Sequence, residues 1–97
     1  MKVLVTKRAQ AHIDLAARWW DQNRPLAPGA LDEEVAEAFS LLSVEPGIGA
    51  PALNLLTEGI KRVHLSRVRY YLYYRVRQGQ VEVLALWHTS RGAGPFI

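Results

Sequence analysis

The chain has 97 residues, of which 49% are hydrophobic and 22% charged, with a formal net charge of +3; this is the balance of one globular domain able to bury its own core. There is no cysteine, which excludes disulfides and thiolate metal sites and suits a reducing compartment. No apolar run approaches the ~20 residues of a membrane helix, and the apolar part of Met1–Lys7 is too short for a signal peptide, so a cytoplasmic protein without membrane contact is expected.

Met1 to Val5 reads as a short apolar strand. Thr6 is placed to cap a helix from Lys7 to about Asn23. Ala9, Ile13, Ala16 and Trp20 recur there at helical spacing, and Leu15 and Trp19 widen the stripe. Pro25 ends it, because the residue before proline avoids the α region. A second helix follows, with Pro28 acceptable at its first position. Asp32, Glu33 and Glu34 favour its N-terminal dipole. Leu31, Val35, Ala38 and Leu42 form its stripe, and Glu45-Pro46-Gly47 stops it. So short a connection predicts an antiparallel helical hairpin, with Trp19 and Trp20 in it or at its edge.

Gly47 to Pro51 is turn-rich. Gly47-Ile48-Gly49 lacks the context of a phosphate loop and is set aside. Ala52 to Thr57 fits either a helical turn or a covering strand. Three strands then follow: Ile60–Leu65, Arg69–Arg77 and Gln80–His88. In the middle one, alternation puts Tyr70, Leu72, Tyr74 and Val76 on a buried face. Arg69, Tyr71, Tyr73, Arg75 and Arg77 share the other face, a cationic surface with rings between its charges. Gln78-Gly79 is a two-residue hairpin loop. In the last strand Val81, Val83, Ala85 and Trp87 take one face and Glu82, Leu84, Leu86 and His88 the other. Both faces are apolar, as in a covered central strand. The tail from Thr89 to Ile97 is glycine-rich and expected to be mobile. The order β-α-α-β-β-β is that of an α+β domain, a helical hairpin packed on a small, mainly antiparallel sheet.

Charge is segregated along the chain. Residues 1–59 carry five basic and eight acidic side chains, whereas residues 60–81 carry six basic and no acidic ones. Positive potential is therefore expected on the C-terminal sheet, and Lys61, Arg62, Arg67, Arg75 and Arg77 are candidates to bind nucleic acid or another target. The alternative is a solvated face whose arginines guard the sheet against aggregation.

Several pieces, taken in order, carry a family resemblance. They are Asp14-Leu15, the Leu42-x-x-x-Pro46-x-x-Gly49 turn, Ile60-Lys61-Arg62-Val63, Tyr73-Tyr74-Arg75-Val76, and Val83-Leu84-Ala85-Leu86-Trp87-His88 followed by Arg91. Together the chain resembles the RelE/ParE superfamily of toxins from bacterial type II toxin–antitoxin modules, over nearly its whole length. The resemblance implies a toxin silenced by a cognate antitoxin, whose extended or helical segment would lie along the hairpin and the sheet edge. Trp19, Trp20 and Leu26 are candidate apolar anchors for it. No metal or other cofactor is implied.

Two branches of the superfamily act differently. ParE-like members stall DNA gyrase and cleave no RNA. RelE-like members cut messenger RNA on the ribosome. RNA cleavage needs the 2′-OH aligned, the phosphorane neutralised and the leaving oxygen protonated. The resemblance to that branch gives these tasks to Arg69 and His88, with Arg62 and Arg91 adding phosphate contacts. Thr89 stands where some nucleases have tyrosine, lysines are few, and no carboxylate base is evident. A charge of only +3 is modest for docking into a polyanion. These features favour the gyrase branch.

Overall fold

The computed structural model describes residues 1–97. Its elements are β1 (Lys2–Val5), α1 (Lys7–Asn23), α2 (Ala30–Val44), β2 (Ala50–Pro51), β3 (Lys61–Leu65), β4 (Tyr70–Arg77) and β5 (Gln80–His88). The five strands form one sheet in the order β1-β5-β4-β3-β2. β1 runs parallel to β5, and the other pairs are antiparallel. β5 is therefore central, as its apolar composition predicts. Two-residue β2 extends the expected strand count by one.

The helices form where the apolar spacing places them. The Thr6 hydroxyl accepts the Ala9 N–H at 3.2 Å and satisfies one donor that the first turn leaves free. Ala9, Ile13 and Ala16 are buried from α1, and Leu31, Val35, Ala38 and Leu42 from α2. They pack with Leu65, Val68, Leu72, Tyr74, Val81, Val83 and Leu86 as the main core, on the helix side of the sheet. The start of α2 differs from expectation. Gly29, not Pro28, is the boundary residue, in the left-handed conformation at φ 76° that glycine tolerates without strain. At the β4–β5 hairpin, Gln78 and Gly79 both have positive φ, the conformation that matches the strand twist.

The second face of the sheet is not an open cationic surface. Ala52, Ile60, Tyr73, Leu84 and Ala85 form a smaller buried cluster there, with Leu55, Tyr71, Trp87 and Ile97 against it. Tyr73 is only 1% exposed. Alternation along β4 holds for Leu72 and Tyr74 on one side and Tyr71 and Tyr73 on the other. Val76 runs past the core and is exposed. The error lay in what covers the second face, which is the Ala52–Thr57 segment and the chain's own tail.

That tail is docked. The Trp87 indole donates to the Ala93 carbonyl at 2.7 Å, Thr57 donates to Ile97 at 2.9 Å, and Arg8 donates to Phe96. Pro95 is buried. A glycine-rich composition suggested mobility, but the cluster beneath supplies a surface for these residues.

In β5 the expected faces are wrong beyond Leu84. Tyr73 opposes Ala85 while Tyr74 opposes Val83, so Leu84 is an extra residue, a β-bulge. Leu84 and Ala85 consequently share the second face, and Leu86 joins Val81 and Val83 on the helix side. A bulge shifts every later side chain to the other face. It turns His88 toward the same side as Tyr70.

Candidate functional site

Beyond Val83, β5 has no neighbour on its β1 side. α1 covers this open edge. The His12 Nδ1 accepts the Leu86 N–H at 3.3 Å, taking the place of a missing strand partner. Between α1 and the ends of β4 and β5 lies an open cavity of about 610 Å³. His12, Arg18 and Trp19 border it from the helix, Tyr70 and His88 from the sheet, and Arg91 from the segment after β5.

His88 and Tyr70 are cross-strand partners, with rings 5.0 Å apart in an edge-to-face arrangement. The His88 Nδ1 accepts the Ser90 N–H at 3.1 Å and lies 2.6 Å from the Ser90 hydroxyl. A backbone N–H can only donate, so this nitrogen is the acceptor, and a neutral His88 carries its proton on Nε2. The Arg91 guanidinium carbon lies over the Trp87 ring, 4.0 Å from its centroid. Burial raises the Tyr70 phenol above its ordinary value, and Arg91 partly offsets this. Burial, aided by Arg8 and Arg91, lowers His12. No carboxylate borders the cavity.

The other arginines are dispersed. Arg69 is not part of β4; it sits in the preceding turn at φ 63° with its side chain exposed. Its carbonyl accepts the Thr89 N–H at 3.0 Å, yet its side chain does not border the cavity. Arg75 is in an ion pair with Glu82 at 2.7 Å. Glu82 lies six positions before His88, roughly 20 Å along an extended strand. Arg67 pairs with Glu33 at 3.1 Å, tying its turn to α2. Arg62 lies over Tyr71 on the second face, 3.9 Å from the ring centroid. Its neighbour Lys61 opposes Tyr74, a helix-side residue, so the two cations point to opposite faces. Arg77 is exposed at the far hairpin. The expected single cationic face, with Arg69 and Arg75 together beside His88, does not exist, because two of its arginines are neutralised and the rest are spread over both faces and two turns.

The proposed apolar anchors also divide. Trp20 is partly buried against the main core, and its indole donates to the Ala27 carbonyl at 2.9 Å. It closes the helical hairpin. Trp19 is 45% exposed and Leu26 99% exposed, so these two remain available to a partner. From the sequence, His12 is expected as a surface or interface residue and Arg18 as one facing water. Their signal was the one that found the helix: His12, Leu15, Ala16 and Trp19 recur at intervals of three and four and so share one stripe.

The family model for the ParE toxin of the type II toxin–antitoxin system parDE matches residues 3–92. The chain belongs to the ParE toxin family. Among solved structures, the toxin is similar to a chain of the chromosomal ParDE toxin–antitoxin system from P. aeruginosa. That match has 17% identity and a TM-score of 0.73, covering 93% of this chain and 97% of the other. It is also similar to the YoeB dimer from Staphylococcus aureus, at 14% identity and a TM-score of 0.59, covering 91% and 95%. At these identities both likenesses concern the fold: two helices on a five-stranded mixed sheet. No curated sequence matches this chain. The protein is thus the toxin component of a type II toxin–antitoxin system. No helix is long and apolar enough to cross a membrane.

Proposed function

We propose that this toxin arrests growth by binding DNA gyrase, without cutting RNA. The observation that carries the reading is the composition of the cavity beside His88. Arg69, which the nuclease resemblance requires, stays outside it, and no carboxylate base borders it. Membership of the ParE family supports the same branch. The antitoxin is proposed to cover the exposed Trp19 and Leu26 at one end of the helical hairpin.

The test is a supercoiling assay with purified toxin and gyrase. Inhibition is expected, with His88→Ala retaining most of it. Unimpeded supercoiling would overturn the reading, as would normal growth when the gene is induced without its antitoxin. One observation favours the second reading, a ribosome-dependent endoribonuclease: His88, Tyr70 and Arg91 do converge on a single cavity. Transcripts cut on induction, and left intact with His88→Ala or Arg91→Ala, would establish it.

A further inference from the structure

β1 is the outermost strand of the sheet, with β5 as its one strand neighbour. The Thr6 N–H donates to the Val83 carbonyl at 3.1 Å. Backbone groups in a strand point alternately to either side, so Lys2 and Leu4 also bond toward β5. Val3 and Val5 direct their N–H and C=O groups outward, where no strand receives them. Such a row of unpaired groups is a template for another strand. Native edges are commonly blunted by proline, a bulge or charge. The strand Lys2-Val3-Leu4-Val5 has only Lys2.

Side chains alternate as well. Val3 and Val5 pack against the main core on the helix side. Leu4 therefore points to the second face, where it is 37% exposed. These placements are self-matching. When two copies of β1 run antiparallel about a two-fold axis at Leu4, Val3 of each copy opposes Val5 of the other. Each such pair exchanges both of its N–H···O bonds, which satisfies every outward group of Val3 and Val5. Leu4 meets its own copy as a non-hydrogen-bonded pair, at a Cα separation of about 4.5 Å, and both side chains leave water. Lys2 opposes Thr6, not another charge.

The ends of the pair match too. The Met1 amine donates to the Ser43 carbonyl at 2.6 Å, which places the end of α2 beside the start of β1. Glu45 caps that end of α2, and Lys7 opens α1 just past β1. Both are exposed, and neither is in an ion pair. Antiparallel pairing brings the Lys7 end of one copy to the Glu45 end of the other, once on each side of the axis. The helix dipoles agree, because α1 begins and α2 ends at these points. A foreign strand would have to supply these charges, whereas a second copy already carries them.

We propose that β1 is a self-association edge, through which two copies of the toxin join their five-stranded sheets into one. A four-residue strand spans roughly 13 Å. With Leu4 it falls short of the ~800 Å² per copy of a stable interface. The dimer is therefore weak and transient, with a Kd on the order of 0.1 mM. It does not depend on which target the toxin has.

The test is sedimentation velocity on the purified toxin at concentrations that bracket this value. A concentration-dependent shift from monomer to dimer is expected. Leu4→Lys sets like charges opposite each other and should weaken the dimer at least roughly tenfold. Leu4 is exposed, so the variant should keep the wild-type circular dichroism. Lys7→Glu should weaken the dimer roughly threefold to tenfold, and Glu45→Lys in the same chain should restore it. Leu26→Ser, in the loop after the far end of α1, should change nothing. Monomer at every concentration would overturn the proposal, as would a dimer indifferent to both Leu4→Lys and Lys7→Glu. So would a toxin that stays monomeric while its Val3 and Val5 amides gain hydrogen-exchange protection only when its antitoxin is added, which would give the edge to a foreign strand.

Discussion

The hydroxyl of Tyr74 accepts the N–H of Gly49 at 2.8 Å and donates to the carbonyl of Pro46 at 2.8 Å. A buried β4 ring thereby clasps the turn after α2, joining two elements 25 residues apart. Burial raises the phenol above its ordinary value, which keeps the donating proton in place. The contact explains why the Pro46-x-x-Gly49 turn carries glycine. A Cβ on residue 49 would stand 2.6 Å from the Tyr74 oxygen and 3.0 Å from the Arg62 carbonyl.

Tyr74→Phe is expected to lose about 1–2 kcal/mol of stability, since it strands the Gly49 N–H. In a domain of this size each ~1 kcal/mol lowers Tm by about 4–8 °C. Gly49→Ala should cost about 1–3 kcal/mol through overpacking. Urea denaturation measures both. Wild-type stability in Tyr74→Phe would show that the clasp contributes nothing.

Acid should weaken the fold through His12. Its folded-state pKa lies below the unfolded value, so the unfolded chain takes up the proton first as pH falls. The contribution is complete above the unfolded value of about 6.5. It is lost as pH drops from there toward the depressed folded value. Protonation would also remove the acceptor that holds the Leu86 N–H. Thermal melts from pH 7.5 to 5.5 should show a falling Tm, with a shallower fall in His12→Gln, whose amide oxygen can still accept. Equal slopes would count against this role.

Arg75 and Glu82 face each other across β4 and β5, partly exposed. A pair of this kind is worth about 0–1 kcal/mol. A double-mutant cycle with Arg75→Ala and Glu82→Ala should return a coupling in that range. Because Arg75 is committed to Glu82, Arg75→Ala should retain toxicity on induction. Loss of toxicity in a folded variant would restore it as a target contact.

Removing Pro95–Ile97 should uncover the cluster around Ala52, Ile60 and Tyr73. Burial of Pro95 and of part of Ile97 accounts for about 1–3 kcal/mol at ~25 cal/mol per Å². Hydrogen exchange should then speed up at Ala85 and Tyr73 while α1 and α2 keep their protection. Unchanged exchange would mean that the tail covers nothing of consequence.

Local order was legible in the residues themselves. Helical spacing located both helices, Thr6 marked the first cap, and strict alternation gave the two faces of β4. These signals depend on neighbours within one or two turns of chain. The site was not legible in the same way. Leu84, Ala85 and Leu86 are all apolar, so either register of β5 buries hydrophobic surface, and periodicity has no basis for choosing. Pairing with β4 and packing under α1 make the choice, and the resulting bulge is what turns His88 toward Tyr70 and the helix. Charge behaved alike. A run of basic residues free of acids looked like one surface, but Glu33 and Glu82 lie outside the run and neutralise Arg67 and Arg75 only once the chain has folded. The sequence alone determined both helices, four of the five strands, their order and the resemblance to the superfamily. The tertiary structure decided which side chains meet, because that is set by contacts between residues far apart in the chain.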